Sequence, residues 1–287
     1  MTSRRKTAIA ISAILIFLLS VLFFFYIRAD ILFYLEDTLR RRPAPDLTAV
    51  EVEGGDEYTL SELVKHENAY ASSLLMLVNR DHPLPLDYVP LLEEYNGAKM
   101  HPLMVDHYIA LRDRVEGQTG VRIYVSSDYR TSEEQEEILL ESGEGVAAPV
   151  GASEHEAGLS LDVYAPYFAG EEFLRSPAGR AVNRLCSDHG FIIRYPRNKE
   201  DVTKISYEPW HLRYVGAPHA KIITKSGLAL EEYLPLLTPE TWFCHEEYYI
   251  LRTASDRVTL PEGWETCDIS PDNLGYTVLT VKMPSKN

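Results

Sequence analysis

Polar residues able to do chemistry gather in three short segments of this 287-residue chain. The first is Ser127-Asp128-Tyr129-Arg130, with Gln135 just beyond. The second runs from Ser153 through Glu154, His155 and Gly158 to Asp162. The third is Glu208-Pro209-Trp210-His211. His155, Asp162 and His211 make a sensible zinc set, because catalytic zinc prefers three nitrogen and oxygen ligands and keeps one position for water. Six residues lie between His155 and Asp162, and Gly158 among them lets the chain turn from a loop into a strand. Along that strand Ser160 and Asp162 share one face, while Leu159, Leu161 and Val163 share the other. Asp162 therefore points away from the apolar face, as a ligand should.

Glu208 stands just before His211, with Pro209 fixing the backbone between them. It can lie beside a metal without binding it, the place for a general base acting on water whose pKa the metal lowers from about 15.7 to about 7. The same carboxyl can then protonate a leaving amine. Arg130 follows a strand directly, and its guanidinium suits either a developing oxyanion or a substrate carboxylate. Trp210 shares a face with Leu212 and Tyr214 and reads as core or as a substrate platform. His82, His101, His107, His189, His219 and His245 stand outside these segments and read as structural.

The elements that position these residues mix helices and strands irregularly, which predicts an α+β fold with a small antiparallel sheet. Strands are expected over Val121–Val125, Leu159–Tyr164, Phe191–Tyr195 and Trp210–Val215. Helices are expected over Pro102–Glu116 with Gly117 as the stop, Thr131–Leu140 with Thr131 and Glu134 as a capping box, Ser176 to near Gly190, Pro218–Lys225 and Ala229–Leu236. Ser72–Val78 is a short apolar run followed by a proline-rich loop. Beyond Pro239, strand-like runs at Thr241–Leu251, Val258–Leu260 and Tyr276–Met283 suggest a small β appendage over 238–287.

Thr7–Ile27 is almost continuously apolar and long enough for a spanning helix. Arg4, Arg5 and Lys6 precede it, which holds residues 1–6 in the cytoplasm and sends the remainder outward. A cleaved signal peptide would have a shorter apolar core ending in small residues, whereas this one ends in Phe23-Phe24-Phe25-Tyr26. The expected organisation is thus a tail (1–6), one transmembrane anchor (7–27), a stalk (28–70), a zinc-dependent catalytic domain (71–237) and the β appendage. Net charge is −15; the first 30 residues carry +3, so the rest stands at −18. So acidic a surface argues against nucleic acid as a partner. Cys186, Cys244 and Cys267 are far apart and form no zinc knuckle; they read as free buried thiols, or as one Cys244–Cys267 disulfide outside the cytoplasm.

The stretches SSDYRTSEEQ, GASEHEAGLSLDV, GFIIRYP and YEPWHLRYVG, in this order, closely resemble the zinc D,D-carboxypeptidases of the VanY type, within the D-alanyl-D-alanine carboxypeptidase family. The resemblance covers about Leu74 to Leu236 and extends more weakly over the anchor and the β tail. It implies zinc on His155, Asp162 and His211, Glu208 as base and Arg130 at the reacting carbonyl. It also implies Gln135 and Ser153 lining the substrate pocket, and Trp210 is counted with them as a substrate-binding candidate. The implied substrates are peptidoglycan precursor stem peptides ending in D-Ala-D-Ala, the terminus bound by vancomycin, so a part in glycopeptide resistance is implied too. Two departures stand out: Asp128 where the family often has Gly, and Val150 intervening between Pro149 and Gly151. An L,D-carboxypeptidase or endopeptidase on the same zinc chemistry, and a wall-binding module without catalysis, are the competing readings. An intact base and ligand set weighs against the last.

Overall fold

The computed structural model describes residues 3–40, 42, 44–142 and 148–285, with the backbone alone at residues 3–10, 27 and 142. Met1 and Thr2, the side chains of Arg4, Arg5 and Lys6, and residues 41 and 43 of the basic run therefore lie outside the description.

Four antiparallel strands form the sheet that carries the polar segments, in the order Tyr124–Ser127, Ser160–Tyr164, His211–Tyr214, Phe191–Ile193. Its apolar face meets the helix Pro102–Thr119, which buries Met104, Val105, Tyr108, Leu111 and Val115 at helical spacing. These pack with Leu159, Leu161, Val163, Phe191 and Leu212 and with Ala178, Ala181 and Val182 of the helix Pro177–Leu185 in one core. The long helix runs past Gly117, its expected stop, to Thr119. Gly120, at φ +70°, takes the left-handed cap instead. Thr119 Oγ1 then accepts from Val121 N, so pairing of the next strand is delayed to Tyr124 and reaches Ser127 rather than ending at Val125. The capping box forms as expected: Glu134 N donates to Thr131 Oγ1 and Thr131 N to Glu134 Oε2, opening the helix Ser132–Ser142. Pro177 stands at the first turn of its helix, and Ser176 Oγ accepts from Gly179 N.

A second, six-stranded sheet follows the order Thr48–Val50, Trp242–His245, Tyr248–Thr253, Thr277–Lys282, Thr266–Pro271, Ala69–Ala71. Its two edges come from residues expected to be a stalk. That segment also carries the helix Ala29–Leu39 and the strand Glu57–Thr59, which pairs with Arg257–Thr259. The described residues between 28 and 70 are therefore folded, and the strands of the last fifty residues pair with them rather than standing apart. Pairings between segments about 200 residues apart leave no local periodicity to reveal them. The sheet packs through Ile250 and Val278 on Ile222, Ile223, Tyr233, Leu234 and Leu237, from the helices His219–Ser226 and Leu230–Leu236 and the residue after them. Leu74–Val78 is buried between the two sheets: Arg213 of the first donates to Leu74 O and Met76 O, and Leu75 N donates to Ser270 Oγ of the second.

All three cysteines are free. Cys244 and Cys267 stand on strands separated by two others, so the disulfide would have to span about 14 Å of sheet, well beyond bridging reach. At the N-terminus the helix Ser3–Ile27 is followed by Ala29–Leu39. Among the described residues no single helix is long and apolar enough to cross a membrane. The pair Ile11–Tyr26 and Ala29–Leu39, bent by 80°, has that length and composition together.

Candidate metal centre

The register of the first sheet places Asp162 directly opposite Ser127 on one side and His211 on the other. His155 arrives from the loop before Gly158, whose φ of +70° closes the turn; a Cβ there would lie 2.7 Å from Leu92 Cδ2. His155, Asp162 and His211 converge, with one ligand atom from each lying within 4.8 Å of the others. His155 Nε2 is 3.5 Å from Asp162 Oδ2, and His211 Nδ1 is 2.9 Å from Asp162 Oδ1. The Asp128 carbonyl lies 2.7 Å from His155 Nδ1. A carbonyl only accepts, so Nδ1 carries the proton and the Nε2 lone pair is free to bind a cation. Asp128 thus acts through its backbone, which makes its departure from Gly compatible with the site.

Burial alone would raise the Asp162 carboxyl, but hydrogen bonds from His155 and His211 and their attraction hold it well below the usual carboxylate range. Burial lowers His211, while Asp162 and Glu154 outweigh it and push the imidazole up to about 9. Glu208 Oε2 lies 3.9 Å from His211 Nδ1. Burial raises the Glu208 carboxyl, the Asp162 charge adds to that, and His211 offsets part of it. The pocket gathers carboxylates around two imidazoles, and this negative surplus is what a divalent cation neutralises. Three nitrogen and oxygen donors, with a further carboxylate held just off them, fit zinc.

All eight residues singled out in the sequence line one cleft of about 190 Å³: Arg130, Gln135, Ser153, His155, Asp162, Glu208, Trp210 and His211. Arg130 is aimed by its neighbours, donating from Nη1 to Gln135 Oε1 (2.7 Å) and from Nη2 to Ser127 Oγ (3.1 Å). Gln135 is almost wholly buried and donates onward to Ala148 O, so it braces Arg130 as well as lining the cleft. Ser153 is buried in the loop that carries His155. Glu156 pins that loop by accepting from Gly151 N and Ser132 Oγ, so the loop stays closed around the additional Val150. Trp210 packs partly on the core and also faces the cleft, joining both of its readings.

Sequence reasoning missed Ile138, Ala148, Tyr195 and Ile205, which complete the lining, with the Tyr195 ring 4.9 Å from that of His211. It also missed the support beneath. Glu154 is fully buried; its Oε1 accepts from Arg194 Nε (2.6 Å) and Arg213 Nη1 (2.7 Å), and its Oε2 accepts from Ser160 Oγ. Burial raises Glu154, yet the two guanidinium groups hold it far below the usual carboxylate range. Its Oε2 also lies 3.8 Å from His211 Nε2, setting a negative charge behind that imidazole. Arg194 forks as well to Glu231 of the helix Leu230–Leu236. GFIIRYP held the signal for Arg194 and Tyr195, but nothing in it told that the charge is buried.

The family profile described as "VanY: D-alanyl-D-alanine carboxypeptidase" matches residues 97–217. A D-alanyl-D-alanine carboxypeptidase of Enterococcus faecium is 29% identical over 93% of this chain and 95% of its own length. The bifunctional D-Ala-D-Ala dipeptidase and D-Ala-D-Ala carboxypeptidase VanXYC of Enterococcus gallinarum is 35% identical, over 55% of this chain and 92% of its own. Among solved structures, the Glu-to-Ala mutant of the vancomycin resistance D,D-pentapeptidase VanY from a VanB-type cassette, in complex with Zn(II), superposes with a TM-score of 0.51. It is 36% identical and covers 56% of this chain and 98% of that one.

Proposed function

This chain belongs to the VanY family of D-alanyl-D-alanine carboxypeptidases, and from that membership we propose that it is a zinc-dependent D,D-carboxypeptidase removing the terminal D-Ala from peptidoglycan precursor pentapeptides that end in D-Ala-D-Ala. One observation carries the reading: His155, Asp162 and His211 converge in a cleft that also holds Glu208 and Arg130. His155 Nε2, His211 Nδ1 and an Asp162 oxygen would hold the zinc. Zinc, when bound, supplies a Lewis acid that polarises the scissile carbonyl and acidifies water.

The remaining work falls to the chain itself. Glu208, its proton affinity raised by burial, takes a proton from the attacking water and delivers it to the departing D-Ala amine. Arg130, braced by Gln135 and Ser127, presents a permanent positive charge to the oxyanion or to the terminal carboxylate. Trp210, Tyr195 and Ile205 give the cleft an apolar wall for the small D-Ala side chains. Loss of the D-Ala-D-Ala terminus removes what vancomycin binds, which makes glycopeptide resistance the natural setting.

The same reading places the enzyme on the outer side of the cell membrane. Thr7–Ile27, uncharged and preceded by Arg4, Arg5 and Lys6, would cross once with the N-terminus inside, and residues 71–237 would hold the catalytic unit. The test incubates the purified full chain with a muramyl pentapeptide and, in parallel, the tetrapeptide, following D-alanine by mass spectrometry with and without chelator. Chelator-sensitive loss of one D-Ala from the pentapeptide alone is expected. Cleavage of the tetrapeptide instead would assign L,D specificity to the same zinc site.

A further inference from the structure

The helix Ala29–Leu39 is bent 80° from the apolar helix before it and has two working faces. One face docks on the catalytic unit. Phe33 is buried under the Arg184 guanidinium, which also reaches Glu36. Tyr34 meets Tyr207 edge to face, and Arg197 lies over the Tyr34 ring while donating to its carbonyl. The opposite face presents Leu32, Leu35 and Leu39, exposed by 48, 50 and 82%. At 100° per residue these three stand about half a turn from the docking face and form one stripe. Arg28, paired with Asp30, and Arg40, 3.8 Å from Glu36, bracket the stripe at its two ends, both with side chains still largely exposed.

We propose that Ala29–Leu39 is an interfacial helix that seats Leu32, Leu35 and Leu39 in the outer surface of the bilayer and fixes the catalytic unit on its other side. The inference rests on the reading that Thr7–Ile27 crosses the membrane, and it goes beyond tethering. An apolar helix that crosses the bilayer, continued by a helix turned 80° from it, leaves that second helix close to the membrane plane. Its leucines then enter the acyl boundary while Arg28 and Arg40 reach the headgroups. The occupant is lipid because the stripe follows directly along the chain from Ile11–Tyr26, whose apolar side chains, Ile14, Phe17 and Phe24 among them, are themselves exposed. The docking face leads to the chemistry in two steps: Tyr207 precedes Glu208, and Arg197 stands two residues after Tyr195, whose ring lies against His211. The helix therefore holds the cleft at a set height and orientation over the membrane, where a lipid-linked stem peptide presents its terminus.

Spin labelling of the full chain in phosphatidylglycerol–phosphatidylcholine vesicles tests this. Cys244→Ser removes the one cysteine that is not buried. Nitroxides are then placed singly by Leu15→Cys, Leu35→Cys and, as an exposed control, Lys65→Cys. The ratio of collisions with oxygen to collisions with a water-soluble nickel chelate is expected to be highest at position 15, intermediate at 35 and lowest at 65. A position-35 ratio equal to the control, with position 15 in lipid, leaves the anchor standing and overturns the interfacial helix. Spin–spin broadening at position 35 that vanishes on dilution with unlabelled protein overturns it in favour of a second copy. A position-15 ratio equal to the control removes the anchor reading and the inference with it.

Discussion

Glu208 and His211 lie one helical turn's worth of sequence apart, yet the proposed reaction gives them different tasks, and substitution should separate the two. Glu208→Ala is expected to lower kcat by roughly 10²–10⁴-fold, the usual share of a general base, while zinc measured by mass spectrometry stays near one per chain. Near-normal turnover would take the proton work away from Glu208. His211→Ala is expected to lose the metal, and full occupancy in that variant would break the ligand set. Gln135→Ala should leave zinc in place but free the Arg130 guanidinium from its 2.7 Å brace. A fall in kcat/KM of about 10–100-fold is expected, as for other groups that position a site from behind; an unchanged value would limit Gln135 to packing. The convergence of these residues on one cleft was legible because they sit in short motifs whose spacing follows strand alternation and turn geometry. Glu154, Arg194 and Arg213 were not legible. Their meaning lies in mutual burial across segments 40 to 59 residues apart, and each alone looks like a surface charge.

At the scale of elements, local signals placed the strands and helices around the site to within a few residues, because caps and periodicity are properties of adjacent residues. Thr131, Glu134, Ser176 and Pro177 each act where the sequence put them. Boundaries moved where a neighbouring element decided them: Gly120 rather than Gly117 ends the long helix, since only Gly120 adopts positive φ. Gly158 is the turn on which the His155 loop depends. Gly158→Ala would force an alanine into φ +70° and drive its Cβ to 2.7 Å from Leu92 Cδ2. Left-handed strain of about 1–2 kcal/mol, with the clash added to it, should lower the melting temperature. It should also weaken zinc binding by displacing His155. An alanine variant with unaltered melting temperature and zinc affinity would show that the loop does not need this conformation.

The whole molecule is organised differently from the stalk and appendage that local sequence patterns suggested, because the second sheet closes only when residues 48–71 and 242–282 meet. Asp268 sits at that closure, on the strand beside Ala69–Ala71, and is 6% exposed. Its Oδ1 has no hydrogen-bond partner among the described residues. Burial pushes its carboxyl up to about 6 from an ordinary 3.8, and Ser72 and the Ile269 N–H offset only part of this. An acid raised on folding favours the folded state while protonated in it. That contribution is fully present below about pH 4 and is lost as pH rises through about 6. At pH 7 the ionised carboxylate costs about 2–3 kcal/mol relative to a neutral isostere. Asp268→Asn keeps an acceptor for Ser72 and removes the charge, so it should be more stable than the parent at pH 7–8. The gap should narrow through pH 6 and vanish near pH 4. Urea unfolding of both proteins at each pH isolates the term, because Asp162 and Glu154, whose depressed carboxyls favour folding in the opposite direction of pH, are common to the two. A stability difference that stays constant from pH 4 to 8 would mean that Asp268 does not titrate at the closure. Equal stability throughout would mean that burial there carries no penalty.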